Sequence, residues 1–223
     1  MALYSDQLAQ DYAEKRHNYR ATDTIVFSHI DKIGVADKKI LDFGCGDGVY
    51  VQEFLNREAA EVVGIDESEK MIEMANEKYG SLKSTRFQVA DGNNLPFENN
   101  VFDIVFTNFV LHHFVDTFKP LGEIFKVLKK NGYLIATLVV YDIPENLSIP
   151  LNIQVPIRLG AEQDTVLVHN TLKSYKQVEK DLRNANFKIE TYIPINNANA
   201  RMDISHPYKD KVKLMTMLII AKK

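Results

Sequence analysis

From Lys39 onward, short apolar runs alternate with longer segments of helical period. The runs are rich in β-branched and aromatic residues, as strands are, and the segments between them repeat apolar residues every three to four positions. Alternation of this kind is typical of a parallel sheet whose strands are joined by crossover helices. It predicts five strands, over Lys39–Phe43, Val62–Ile65, Thr85–Ala90, Phe102–Thr107 and Tyr133–Val140.

The same pattern predicts the crossover helices. The first has Val51, Phe54 and Leu55 on one face, and the second begins at a predicted N-cap, Ser68. A later helix carries the clearest apolar stripe, and we expect it to run through two lysines to a stop at an Asn-Gly pair. Its stripe and end are formed by Leu121, Ile124, Phe125, Leu128, Lys129, Lys130, Asn131 and Gly132.

Beyond Tyr141 the pattern changes. Apolar residues alternate strictly over Ile149–Leu159, with prolines in the opposite phase, which predicts an edge strand. A helix is predicted to begin near Ser174, where Gln177 would complete a capping box. The chain ends in two predicted strands, an alternating edge strand over 187–193 and an apolar one, buried on both faces, over 214–221.

The first 35 residues precede the sheet and contain two helical patterns, Asp6–Arg20 and Thr22–Ile33. We interpret them as a helical cap over one end of the sheet, with a simple N-terminal extension as the alternative.

Composition narrows the function classes. The chain has 223 residues, of which 45% are hydrophobic, enough for the core of one domain. The 30 acidic residues outnumber the 27 basic ones, so no global positive field draws the chain to nucleic acid or anionic lipid. The chain has one cysteine, and it shows neither a signal-peptide pattern nor an 18-residue apolar run. These features favour a cytoplasmic protein that does not contact membranes.

A glycine-rich loop follows the first strand directly. Its glycines, Gly44, Gly46 and Gly48, form the pattern GxGxG, and Val49 stands where a dinucleotide fingerprint has its last glycine. Asp42 lies inside the strand, where a carboxylate would repel a pyrophosphate and pair with a cationic, amine-bearing ligand. The loop therefore favours a cationic ligand over a nicotinamide dinucleotide.

Two further acids follow the next two strands. Asp66 is placed to bind the hydroxyls of a ribose, and Asp91 is placed to accept from an exocyclic amine while Gly92 offers its N–H to a ring nitrogen. Each acid alone could be a helix cap or a turn residue. Together, at strand ends beside a glycine loop, they predict a nucleoside site.

Five stretches between Ile40 and Thr137 occur in one order: ILDFGCGDG, VVGIDES, FQVADGNNLPF, FDIVFTNFVLHHF and VLKKNGYLIAT. As a set they resemble the class I, Rossmann-like methyltransferases that use S-adenosylmethionine and act on small molecules. The resemblance implies an α/β fold with a doubly wound, mostly parallel seven-stranded sheet in the order 3-2-1-4-5-7-6, in which only strand 7 is antiparallel. It implies one domain over 1–223, divided into a helical cap (1–35), a cofactor-binding core (36–141), a lid insertion (142–170) and the last helix and strands (171–223).

The resemblance also implies S-adenosylmethionine as the cofactor and gives roles to individual residues. The loop would contact the methionine part, Asp66 the ribose, Glu67 and Met71 the faces of the adenine, and Asn108 the amino group and reacting centre. A tyrosine of the first helix would close over the cofactor. The implied cofactor-binding residues are Tyr12, Asp42, Gly44, Cys45, Gly46, Asp66, Glu67, Met71, Asp91, Gly92 and Asn108.

Methyl transfer from a sulfonium is an in-line displacement, so alignment and exclusion of water matter more than a dedicated base. If the acceptor must lose a proton, His113 and His112 are the candidate bases, since histidine titrates near neutrality and this pair follows strand 4. His169 is a further candidate. The other histidines have no ligand spacing, so we expect no metal site.

The acceptor is expected to be a small molecule, methylated at oxygen or nitrogen rather than carbon. The motif typical of amino methylation of DNA bases is missing after strand 4, and the single cysteine, Cys45, lies in the cofactor loop, so nucleic acid is not expected. The chain is expected to be a monomer or homodimer, and the stripe over 149–159 could line the acceptor pocket or pair across a dimer. The alternatives are a non-catalytic cofactor-binding or scaffold protein and a nicotinamide-dependent oxidoreductase.

Overall fold

The computed structural model describes residues 20–144, 152–159, 164–195 and 212–223. Of residues 20–21, 152–159 and 164–169 it describes the backbone alone. Tyr12 and nearly all of the helix predicted over Asp6–Arg20 lie outside the described residues.

The described residues form strands and helices that alternate along the first two thirds of the chain. The strands are β1 (Lys39–Phe43), β2 (Glu61–Asp66), β3 (Thr85–Val89), β4 (Phe102–Asn108), β5 (Leu128–Asp142), β6 (Asn152–Leu159), β7 (Asp164–Thr171), β8 (Lys188–Ile195) and β9 (Lys213–Lys222). The helices are α1 (Arg20–Ile33), α2 (Val51–Leu55), α3 (Glu69–Tyr79), α4 (Phe118–Val127) and α5 (Tyr175–Asn184).

Seven of these strands form one sheet, in the order β3-β2-β1-β4-β5-β9-β8. Strands β1 to β5 pair in parallel, and β9 runs antiparallel to both of its neighbours, β5 and β8. Counted along this sheet alone, the order is 3-2-1-4-5-7-6 with only strand 7 antiparallel, so the predicted fold is confirmed. The carboxyl ends of β1 to β5 meet at one edge of the sheet, the carboxyl edge.

Helices cover both faces of the sheet, as a doubly wound fold requires. On one face α4 and α5 bury residues such as Ile124 and Leu182 against the strands. On the other face α1, α2 and α3 bury Phe27, Phe54 and Ile72. Helix α1, predicted to cap one end of the sheet, thus packs against a face of it and belongs to the core.

The predicted end of α4 is wrong. The helix stops at Val127, and Leu128 already pairs with Phe102 as the first residue of β5. Asn131 adopts φ 65°, but it does so within an irregular start of β5, where the pairing with β4 shifts register. The lysine predicted for the last turn, Lys129, instead forms an ion pair with Asp103 at 2.8 Å. The Asn-Gly signal therefore marks a bulge rather than a helix end.

The predicted N-caps are confirmed, but the capping box is not. Ser68 accepts a hydrogen bond from the Met71 N–H at the start of α3. Ser174 accepts one from the Gln177 N–H, yet the Gln177 side chain donates to Asp181 at 2.8 Å instead of reaching back to the cap. The Gln177 amide thus binds the Asp181 carboxylate, one turn later in α5, and does not complete the capping box.

The segment after β5 forms a separate two-stranded antiparallel sheet of β6 and β7. The strand predicted within 149–159 is confirmed over Asn152–Leu159, but it pairs with a strand that the pattern did not predict, β7. The last residue of β7 ties this pair of strands to the rest of the fold: the Thr171 hydroxyl donates to the Phe114 carbonyl at 3.1 Å. Among the described residues, none of the helices combines the length and the apolar character needed to cross a lipid bilayer.

Candidate functional site

The glycine loop forms a tight turn at the carboxyl end of β1. The N–H groups of Gly44 and Cys45 both donate to the Ile65 carbonyl at 2.8 Å, so the loop is tied to the end of β2. Gly44 has φ 75°, and a Cβ added there would lie 2.4 Å from the Val110 side chain. The positive φ and the close approach of the Val110 side chain together favour glycine at this point.

Asp66, at the end of β2, holds the loop in place. One carboxylate oxygen accepts from the Gly46 N–H and the other from the Ser68 N–H, each at 3.0 Å. Burial raises the pKa of this carboxyl group, while the two backbone N–H donors oppose the rise. Each oxygen keeps a further lone pair, so the group can still accept from a ligand's hydroxyls.

The residues implied to surround an adenine lie at the ends of β2 and β3, which pair in register up to Asp66 and Val89. Asp91 is exposed, and one of its oxygens accepts from the backbone and side chain of Asn93 at 2.8 and 2.9 Å. Glu67 is exposed, whereas Met71 is buried on α3. The carboxylates are therefore open to a ligand, and Met71 could contact it only through a limited surface.

Gly92 lies beneath an aromatic pair. A Cβ at this position would come within 2.4 Å of the Phe43 ring, which packs against Phe114 at 6.0 Å between centroids. The packing explains the glycine without a ligand, and its role toward an adenine stays a prediction.

Two implied residues are buried, Asp42 near the end of β1 and Cys45 within the loop. Asp42 lies in register between Gly64 of β2 and Phe106 of β4. Burial raises the pKa of the Cys45 thiol well above its usual value, and the carboxylate of Asp42 adds to the rise. A neutral thiol at this point is a packing group and not a nucleophile.

Asn108 ends β4 beside the loop, within a chain of side-chain hydrogen bonds that the sequence did not reveal. Its amide nitrogen donates to the Tyr50 hydroxyl, which donates to Asp23 of α1 at 3.0 Å. The amide oxygen of Asn108 is buried and has no hydrogen-bond partner among the described residues. Tyr50 and Asp23 therefore orient an amide whose oxygen remains available to a donor.

The two candidate bases differ in their surroundings. His112 is buried, and its Nδ1 accepts from the Val139 N–H at 3.4 Å. Burial, and then the neighbouring His113, lower the pKa of His112 well below its usual value. His113 is half-buried, and the two rings lie 4.2 Å apart. The neutral, enclosed His112 is thus suited to hold this turn in place, and His113 is the more accessible of the pair.

For two further predicted residues the structure does not describe the side chain. Tyr12 lies outside the described residues. His169 lies on β7 opposite Gln154, where only the backbone is described. In the described part of the chain, no three His, Cys, Asp or Glu side chains come together as metal ligands would.

Comparisons with known proteins agree with this geometry. Residues 41–136 match the family model described as "Methyltransferase domain". The chain is 32% identical over 130 residues to a malonyl-[acyl-carrier protein] O-methyltransferase of Legionella pneumophila, covering 58% of this chain and 46% of the relative. It is 38% identical over 103 residues to a demethylmenaquinone methyltransferase of Thermotoga maritima, covering 45% of this chain and 43% of the relative. The chain thus spans less than half the length of either curated relative.

A solved structure extends the likeness beyond the matched domain. An S-adenosylmethionine-dependent methyltransferase from Mesorhizobium loti superposes with a TM-score of 0.61 at 18% identity, covering 85% of this chain and 92% of that one. The sheet order and the glycine loop at its carboxyl edge define the class I methyltransferase fold. The chain has this fold and is similar over its core to methyltransferases, which supports the family and the cofactor inferred from the sequence.

The residues present fit this cofactor. The ribose hydroxyls need acceptors, which Asp66 retains, and the adenine amine needs one, which Asp91 retains. The buried amide oxygen of Asn108 has no hydrogen-bond partner among the described residues and would accept from the ammonium group of the methionine part.

Proposed function

We propose that this protein transfers the methyl group of S-adenosylmethionine to a small-molecule acceptor, at oxygen or nitrogen rather than carbon. One observation carries the proposal. Asp91, Asp66, the glycine loop and Asn108 stand at the carboxyl ends of β3, β2, β1 and β4, which are neighbours in this order in the sheet. Their chemistry follows the order adenine, ribose, methionine along the cofactor.

When bound, S-adenosylmethionine supplies an electrophilic methyl group on a positively charged sulfur, with a neutral thioether as the leaving group. The protein's part is alignment and exclusion of water. Asp66 holds the ribose and the loop at once, so a shift of the loop would also shift the cofactor. Asn108, oriented by Tyr50 and Asp23, fixes the methionine end.

The acceptor site is proposed to lie on the far side of Asn108, next to β5. Thr137 is the last residue of β5 that pairs with β4. Strand β5 runs five residues further and pairs with β9 up to Asp142. Tyr141 and Asn170 are buried in this region, and the amide oxygen of Asn170 has no hydrogen-bond partner among the described residues. A polar group of the acceptor could satisfy it.

Methylation at oxygen or nitrogen requires that the acceptor lose a proton. The half-buried imidazole of His113 is proposed to take it, while His112 holds the turn through its bond from Val139. The Legionella relative is an O-methyltransferase and the Thermotoga relative acts on demethylmenaquinone by name, so the relatives differ in acceptor. A carbon acceptor would lose a proton as well, so His113 serves the transfer without deciding which atom is methylated.

Two measurements test the proposal. Calorimetry should show that S-adenosylmethionine and S-adenosylhomocysteine bind while NAD does not. A labelled methyl group should then pass from the cofactor to a compound in a metabolite pool, and replacing His113 with Gln should lower that transfer without changing cofactor binding. Cofactor binding without transfer to any pool would favour the scaffold alternative, and tight binding of NAD alone would favour an oxidoreductase.

A further inference from the structure

The hairpin of β6 and β7 has one face that consists almost wholly of apolar residues. In an antiparallel pair, residues directly opposite each other lie on the same face, and successive residues alternate between the two faces. The opposite face carries mainly polar residues, among them Gln154, Arg158 and His169. The apolar hairpin face is formed by Ile153, Val155, Ile157, Leu159, Val166 and Val168.

One end of the apolar hairpin face holds a buried polar atom without a partner. Asn170 is the register partner of Ile153 and therefore lies on the same face. It is 4% exposed, and its amide nitrogen donates to the Tyr141 hydroxyl at 3.5 Å. Its amide oxygen has no hydrogen-bond partner among the described residues. A carbonyl oxygen can only accept, so the missing partner is a hydroxyl or amine donor.

This end of the hairpin lies on the acceptor side of the site. Beyond its pairing with β6, β7 lies against the turn at Leu111–His113, which carries the proposed base. The Thr171 hydroxyl fixes that contact by donating to the Phe114 carbonyl at 3.1 Å. From Asn170 the apolar hairpin face extends over six residues of each strand, about 20 Å.

The size of this face bears on what can cover it. Two strands about 4.8 Å apart and about 20 Å long present a footprint of roughly 200 Å², so two such faces together would bury roughly 400 Å². Stable interfaces between proteins bury about 1,200–2,000 Å². The face alone is therefore too small to hold two copies of the chain together, whereas a small molecule needs no larger surface.

We propose that the apolar hairpin face binds an apolar tail of the methyl acceptor, while the amide oxygen of Asn170 accepts from the acceptor's hydroxyl or amine group. The inference rests on the proposed function and names its substrate class, an alcohol, phenol or amine that carries an extended apolar tail. Burial of the tail contributes affinity in proportion to its length. The hydrogen bond to Asn170 decides which end of the molecule lies at the site.

A series of para-alkylphenols tests the tail and the donor separately. The probes are phenol, para-ethylphenol, para-butylphenol and para-hexylphenol, titrated by calorimetry into the full chain saturated with S-adenosylhomocysteine. Affinity should rise about tenfold for every two methylene groups added. Para-hexylanisole, whose methyl ether replaces the hydroxyl, should bind about tenfold more weakly than para-hexylphenol because it has no donor for Asn170.

Matched variants assign each effect to its residue. I157D places a charge on the apolar hairpin face, and para-hexylphenol should then bind at most about threefold more tightly than phenol. L167D places the same charge on the opposite face of the hairpin and should leave every affinity within about twofold of the wild type. N170L should bind para-hexylphenol and para-hexylanisole equally. I157S is read in the same way should I157D fail to fold.

An affinity that does not rise with tail length in the wild type, or equal losses in I157D and L167D, would overturn the tail site. So would sedimentation of the wild type as a dimer that I157D dissociates, since the face would then join two copies of the chain. Failure of the wild type to bind S-adenosylhomocysteine would overturn the proposed function itself. Binding of S-adenosylhomocysteine without any preference for tailed phenols would overturn the tail site alone.

Discussion

The two halves of the carboxyl edge are built by different means. In the cofactor half, at β1 to β3, backbone hydrogen bonds fix the loop. Two loop N–H groups donate to the Ile65 carbonyl, and Asp66 accepts from two further backbone N–H groups. In the acceptor half, at β5 and the segment after β7, side chains far apart in sequence hold one another. Thr117 donates to Asp181, 64 residues later, and Lys173 donates to Thr117, 56 residues earlier.

The difference explains what each half can recognise. A site made from backbone groups and glycines depends on a turn geometry that few sequences adopt, so it suits one fixed ligand. A site made from distant side chains can change residue by residue while the sheet stays the same. We infer that the fold of the chain specifies the cofactor, and that particular side chains specify the acceptor.

The largest effect is expected from Lys173, which is buried with Asp181 and Thr117. Its ammonium donates to Thr117 at 2.7 Å and to Asp181 at 3.3 Å. Replacing Lys173 with Met leaves the buried Asp181 carboxylate without its cation and should lower the free energy of unfolding by about 3 kcal/mol. Denaturant titration measures the loss.

The control for this change is Lys180→Ala, at an exposed lysine of the same helix as Asp181. It should alter the free energy of unfolding by less than about 0.5 kcal/mol. If the two halves are independent, Lys173→Met keeps its affinity for S-adenosylhomocysteine; a matching loss of affinity would show that they are coupled.

A smaller loss of stability is expected from Gly44→Ala in the cofactor half. The new Cβ would meet Val110 at 2.4 Å and would force an alanine to a φ near 75°. We expect a loss of about 2 kcal/mol in the free energy of unfolding, and weaker cofactor binding because the loop must shift.

Gly122→Ala supplies the opposite result with the same substitution. Gly122 lies inside α4 with nothing within 4 Å of a new Cβ. Alanine should stabilise the chain by about 0.5–1 kcal/mol. Equal effects of the two substitutions would show that the loop needs no glycine.

The ribose assignment is sharpened by Asp66→Ala. Loss of charge-assisted hydrogen bonds should weaken S-adenosylmethionine binding by roughly 1.5–3 kcal/mol, with the sheet still folded. The matched control is Asp31→Asn, which removes a carboxylate on α1 whose ion-pair partner is Arg57. If Asp66→Ala bound S-adenosylmethionine with wild-type affinity, Asp66 would not be a ribose-binding residue.

The smallest effect concerns acid and the buried His112. Because its pKa is lowered in the folded state, the unfolded chain binds the proton more tightly, and acid favours unfolding. The stability is present above the unfolded pKa, about 6.5, and falls as the pH drops below it. Between pH 7.5 and 5.5 we expect His112 to account for a loss of about 1 kcal/mol.

The measurement compares the wild-type chain with His112→Gln at both pH values. The variant should lose less free energy of unfolding on acidification than the wild type does. An identical acid loss in the wild type and in His112→Gln would show that His112 is not held neutral by burial.

The features of the fold that have local signals could be predicted from sequence. The five core strands and the N-caps Ser68 and Ser174 follow from periodicity and from residues three positions apart. The acids Asp66 and Asp91 were predicted as site residues because each directly follows a predicted strand. Even here the end of α4 was misplaced, since an Asn-Gly pair serves a bulge as readily as a helix end.

Contacts between residues far apart in sequence could not be predicted in the same way. The pairing of β6 with β7, the bond from Asn108 to Tyr50 and the buried hydroxyl of Thr137 depend on residues that only the folded sheet brings together. Thr137 stands in an apolar run as an ordinary β-branched strand residue. Its place beside Asn108 follows from the register of β5 with β4, and register is not visible in a single sequence.

The central claim is that the cofactor lies along β3, β2, β1 and β4 at the carboxyl edge. A crystal structure of the full chain with S-adenosylhomocysteine tests it most directly. The account predicts ribose hydroxyls against Asp66, the adenine amine toward Asp91 and the methionine end at Asn108. Density for the ligand elsewhere on the chain, or with its ribose away from Asp66, would contradict it.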